Sequence, residues 1–93
     1  MDRFNVEEVR SQATKLNQQL QRFTEDCSTA SKLVVDLNQH FDDPVYDKFA
    51  AKFKSYQPTM TSLQEALDAY IKFMNGSADA YADFMSRAAG KIG

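Results

Sequence analysis

Cys27 and His40 are the only cysteine and the only histidine in this chain, so thiol, imidazole and soft-metal chemistry would all rest on two isolated residues. A single cysteine excludes an intrachain disulfide. A catalytic thiol needs a neighbouring base, and a zinc centre needs three or four convergent ligands; neither residue has such company in the sequence. Glu25 and Asp26 are adjacent, Asp79 and Asp83 are one turn apart, and both pairs fall on polar helix faces with no pocket-forming segment accompanying them. Asp42, Asp43 and Asp47 crowd around Pro44, where the positive end of a helix accounts for negative charge, and a calcium loop would need more oxygen ligands than so short a turn supplies. The expectation is a chain with no catalytic residues, no metal and no cofactor, and not an enzyme.

The element that would carry any function is a repeating apolar stripe. It runs from Val6 and Val9 through Ala13, Leu16, Leu20, Phe23, Cys27, Ala30, Val34 and Leu37 to Phe41, in alternating steps of three and four. After Asp42-Asp43-Pro44 it resumes at Tyr46, Phe49, Phe53 and Tyr56 and continues through Met60, Leu63, Leu67, Tyr70, Met74, Ser77, Tyr81 and Phe84 to Ala88. A repeat averaging three and a half residues keeps one seam of a helix facing a partner helix along its whole length. The fold class predicted is all-α: an antiparallel two-helix hairpin, one domain over residues 1–93, pairing with another hairpin into a four-helix bundle.

Start and stop signals place the boundaries. Asn5 caps a first helix, with Glu8 three residues on in capping-box spacing and Glu7 at the positive end of the dipole. This helix should span about 6–39, because no Gly or Pro interrupts it. The turn should cover about 40–44, with Asp43 as N-cap and Pro44 as the first residue of a second helix over about 45–89. Pro58 should kink that helix between Lys54 and Pro58, Gly76 is a weaker fray point, and Gly90 should end it before a tail over 90–93. Antiparallel pairing predicts that facing residue numbers total about 87, with Leu20 opposite Leu67 and Val34 opposite Phe53, leaving residues beyond about Phe84 overhanging.

Composition narrows the partners. The 93 residues carry 11 basic and 13 acidic side chains scattered along both helices, so no basic stripe exists to neutralise phosphates and nucleic acid is disfavoured. The longest strictly apolar runs are short, such as Leu33-Val34-Val35, far below the roughly 20 residues of a membrane span. The stretch from Met1 to Asn5 lacks the pattern of a secretory signal, so export would use another route. A partner is nevertheless expected, since burying one stripe per helix falls short of the entropy lost on ordering the chain. Its docking surface is predicted beside the seam, at Ala66, Ile71, Phe73, Ala78, Ala80 and Met85 on the second helix. Leu33 and Val35 add a smaller apolar surplus on the first.

The stretch around the turn, Phe41-Asp42-Asp43-Pro44-Val45-Tyr46-Asp47-Lys48-Phe49, resembles that of the small WXG-type hairpins of bacterial type VII secretion. Phe41 stands where the family has Trp, Asp43 where it has Gly, and Val45, Tyr46 and Phe49 match the small and aromatic positions that follow. The opening from Val6 to Ala13 and the late Tyr81-Ala82-Asp83 also resemble the family's helix starts and tails. The chain departs from the family in lacking both signature residues. Its tail signal, Tyr-x-x-x-Asp or Glu, would run from Tyr81 to Met85, where no acidic group stands.

The resemblance implies a protein that acts by protein binding, as a targeting partner or chaperone for a secreted toxin or as a small secreted substrate. Its partners would be itself or a related small hairpin, the helical N-terminal domain of an LXG-type toxin, and the type VII machinery. Its location would be the cytoplasm before export and the outside or surface of a Gram-positive cell afterwards. Two other readings fit the stripe: a cytoplasmic scaffold hairpin unrelated to export and, ranked last because the polar faces are not strongly basic, a membrane-active effector.

Overall fold

The computed structural model describes residues 4–92 and is all-helical over that span. Helix α1 spans Val6–His40, α2 spans Pro44–Ser55 and α3 spans Gln57–Ile92. Asn5 opens α1 in an extended conformation, and its side-chain oxygen accepts a hydrogen bond from the Glu8 amide at 2.9 Å. The Glu8 carboxylate accepts from the Gln12 side chain at 2.8 Å, one turn further on. Asp43 caps α2 by accepting from the Val45 amide at 2.7 Å, with Pro44 at the first helical position.

Tyr56 alone separates α2 from α3. Its amide donates to the Phe53 carbonyl at 3.0 Å, a tight three-residue closure, and its own carbonyl accepts from Met60 at 3.0 Å, so helix resumes at once. Pro58, having no N–H, cannot satisfy the Lys54 carbonyl one turn back, which is why the ladder breaks here. The helix does not stop at Gly90 as the sequence suggests but runs to Ile92, and no glycine among the described residues has a positive φ. Without a left-handed residue there is no glycine C-cap.

Cross-chain contacts fix how the helices lie. Phe4 stacks on Tyr81 with centroids 4.8 Å apart, Arg10 pairs with Asp79 at 2.7 Å, Cys27 Sγ lies 3.5 Å from Met60 Sδ, and Gln57 donates to Ser31 at 3.0 Å. Residue numbers rise on one side as they fall on the other, so α3 runs antiparallel to α1 with facing numbers totalling about 87. The molecule is a rod with extents of 75 × 19 × 17 Å. Its surface of 7359 Å² far exceeds the roughly 5,500 Å² of a compact protein of this mass.

The inward seam differs from the sequence expectation at every second position of the returning arm. Phe53, Met60, Leu67, Met74, Tyr81 and Ala88 face inward as expected, but alternate with Ala50, Gln57, Gln64, Ile71 and Ala78. Phe49, Tyr56, Leu63, Tyr70 and Phe84 stand exposed. Ile71, at 6 % exposure, and Ala78, at 0 %, therefore belong to the core and not to a partner surface. Ala13 and Ala78, both fully buried at neighbouring levels of the antiparallel pair, are the small residues of this contact, which a bulkier side chain would overpack.

Overpacking that contact tests the assignment. Ala78→Leu should destabilise the fold by about 1–3 kcal/mol in thermal unfolding, whereas Ala69→Leu on the exposed side of α3 should stay within about 0.5 kcal/mol. Equal effects would refute the placement of Ala78.

Candidate functional site: an open aromatic stripe

Turning the bulky positions outward gives the returning arm a second apolar stripe. From Leu63 it runs through Ala66, Tyr70, Phe73, Ser77 and Ala80 to Phe84, again in steps of three and four, and Tyr56 and Phe49 extend it past the break. Phe73 is 70 % exposed, Phe49 68 % and Phe84 65 %. On a helix of this repeat the second stripe lies roughly 100° round from the first. One arm thus has two seams, and only one is covered within the chain.

The open stripe faces one side of the rod. Tyr70 shares a groove of about 500 Å³ with Gln12, Leu16, Gln19 and Met74, and Phe49 shares one of about 250 Å³ with Val34, Leu37 and Asn38. Phe49 and Tyr70 stand three heptads apart, so both grooves open on the same side. Leu37 and Leu33, one turn apart on α1, add exposed apolar surface next to Phe49. The opposite side also carries open clefts. There, Val35 borders a cleft of about 610 Å³ that includes Gln39, Asp47 and Lys54, and further along Thr24, Ser28, Ser31 and Thr61 line a smaller one.

The residues singled out from sequence therefore divide. Leu33, Ala66, Phe73 and Ala80 lie on the stripe side, Val35 lies on the other, and Met85 is exposed near the overhanging end of α3. At the turn, Phe41 stacks on Tyr46 with centroids 4.8 Å apart, both rings partly exposed, while Asp43 is engaged as the cap and Val45 is exposed. Phe49 joins the open stripe. Tyr81 is half-buried against Phe4, and Met85, one turn on, is not acidic. Sequence reasoning assigned Tyr56, Leu63, Tyr70 and Phe84 to the core; the structure turns them outward in favour of Gln57, Gln64, Ile71 and Ala78.

Polar chemistry at the seam is structural. Ser31 donates to the Cys27 carbonyl at 2.9 Å and accepts from Gln57, which joins a Cys, a Ser and a Gln in one layer beside the Tyr56 break. His40 Nδ1 lies 2.8 Å from the Asp36 carbonyl and so engages the last turn of α1. No group of three or more metal-ligating side chains gathers among the described residues. Lys72 is held protonated above its ordinary range by its hydrogen bond to Asp68 and by that carboxylate's charge; the pair is an exposed link between successive turns of α3. No described helix is long and apolar enough to cross a membrane.

Asn38 is the exception to this polar satisfaction. Its side-chain oxygen is buried with no hydrogen-bond partner, between the grooves on either side of α1. An orphaned acceptor costs about 1–3 kcal/mol. Asn38→Leu should accordingly raise stability by about 1–2 kcal/mol in denaturant unfolding, by removing that acceptor and extending the seam. A loss of stability would show that the oxygen is satisfied in solution.

Comparison with known protein families, curated proteins and solved structures returns no match.

Proposed function

We propose that this chain is a helical-hairpin adaptor of a type VII secretion system that works by binding another helical protein. It serves as targeting partner or chaperone for a secreted toxin, or is itself carried out as a small substrate. The observation that supports this reading best is the aromatic stripe from Phe49 to Phe84, left open along the arm that follows a turn of the Phe41–Phe49 type. A rod whose buried core among the described residues amounts to Ala13, Ile71 and Ala78 gains most by adding helices to that stripe, and a four-helix bundle supplies them.

The turn and the tail then have separate roles. Phe41 and Tyr46, stacked and partly exposed, offer an aromatic platform at one end. At the other end Tyr81 is engaged by Phe4 and Met85 takes the place of an acidic residue, so the partner provides the acidic tail that the export machine reads. The chain meets the machinery in the cytoplasm and leaves the cell only in company.

Deleting the secretion ATPase in the native host should abolish extracellular accumulation of this protein or of the helical toxin that co-purifies with it. Phe49→Glu should reduce that co-purification at least tenfold while preserving helix content. Unchanged extracellular levels together with no co-purifying helical protein would refute the proposal.

A further inference from the structure

We propose, independently of the secretion reading, that the turn end of the rod opens as a unit of its own. The last turns of α1, from about Val34 to His40, and the whole of α2 unwind and part from each other, while the rest of α1 stays paired with α3.

Burial is confined to the other end. Ala13, Ile71 and Ala78 are the buried residues among those described, and in the antiparallel register all three fall where residues 71–78 of α3 lie against residues 9–16 of α1. No residue of α2 is buried. Between α1 and α2 stand Val34, Asn38, Ala50 and Phe53, which line both the cleft of about 610 Å³ on one side and the groove of about 250 Å³ on the other. Each of the four is partly exposed. A contact open on both flanks buries little apolar surface, and a segment held that way opens at a lower free energy than the domain as a whole.

Polar groups favour the open form as well. The Asn38 side-chain oxygen is buried without a partner in the closed form, and opening returns it to water, so only the closed form bears that cost. Ties across the helices stop short of this end. Going toward the turn, the last polar one among the described residues is the hydrogen bond from Gln57 to Ser31 at 3.0 Å, one turn from Cys27 and Met60.

Local chemistry sets the limits of the unit. On the returning arm Tyr56 interrupts the helix, its amide turned to the Phe53 carbonyl and Pro58 bringing no N–H, so α2 and α3 are not one continuous ladder. On α1 the Ser31 hydroxyl donates to the Cys27 carbonyl at 2.9 Å, a bond that competes with the ladder at that turn. With 12 residues, α2 is too short to persist as a helix once it leaves α1. It therefore unwinds as it parts, and the short turn to His40 carries the end of α1 with it.

Native-state hydrogen exchange on the full chain, under conditions where the opening equilibrium limits exchange, distinguishes this unit from all-or-none unfolding. Amides of residues 46–55 should be protected at least about tenfold less than those of residues 68–78. Ile71→Val weakens only the paired part, so it should lower protection of residues 68–78 about twofold to tenfold and leave residues 46–55 unchanged. Asn38→Leu should raise protection in both segments, because it stabilises the closed form against the opened and the unfolded chain alike. Equal protection of the two segments, or an equal loss in both on Ile71→Val, overturns the proposal. Trypsin gives a second reading that needs no variant: cleavage after Lys48, Lys52 and Lys54 should precede cleavage after Lys15, Arg22 and Lys72. First cuts at Lys15, Arg22 or Lys72 would overturn it too.

Discussion

The packing of α3 on α1 through the seam that holds Ile71 and Ala78 is the constraint on which the rest of this structure depends. A helix with apolar residues at three positions of each heptad can turn either of two seams inward. Size decides between them. The seam of α3 with the smaller set, in which Ile71 and Ala78 alternate with bulkier residues, packs on α1 beside Ala13 and becomes the core. Phe49, Tyr56, Leu63, Tyr70 and Phe84 are then carried outward together, because all share one heptad position. Rotation of one helix about its axis thus determines both the core and the exposed aromatic stripe.

That rotation has consequences for stability. The inner seam contains Gln57 and Gln64 where aromatic residues might have stood, and the hydrogen bonds among Gln57, Ser31 and Cys27 satisfy polarity without adding much apolar burial. The stacked pairs at the two ends, Phe4 with Tyr81 and Phe41 with Tyr46, close a rod that is otherwise thinly packed. Arg10 and Asp79 tie the helices across the surface, where an exposed ion pair contributes about 0–1 kcal/mol. Covering the open aromatic stripe would add apolar burial that the single chain lacks.

Much of this was legible in the residues and some was not. The cap at Asn5, the turn at Asp43-Pro44 and the break before Pro58 follow from local chemistry: a side-chain acceptor, a fixed φ, a missing N–H. The antiparallel register follows from a short turn between two long helices. The choice between seams did not, because counting apolar residues favours the aromatics over a set holding two glutamines and two alanines. Only the tertiary packing of α3 on α1 reverses that preference. The same cause moved Ile71 and Ala78 from the expected partner surface to the core, and Leu63 and Tyr70 the other way. At Gly90 the helix continued because glycine tolerates a helical φ as readily as a left-handed one, and no motif there required the latter.

The central claim, that one arm carries two apolar seams and the chain by itself covers only one, is tested most directly by the dependence of thermal unfolding on protein concentration. If the open stripe is covered by association, the unfolding midpoint rises steadily with concentration, because binding stabilises the folded state by mass action. A single cooperative transition whose midpoint stays constant across a thousandfold range of concentration would contradict the account, showing that the rod is complete as one chain.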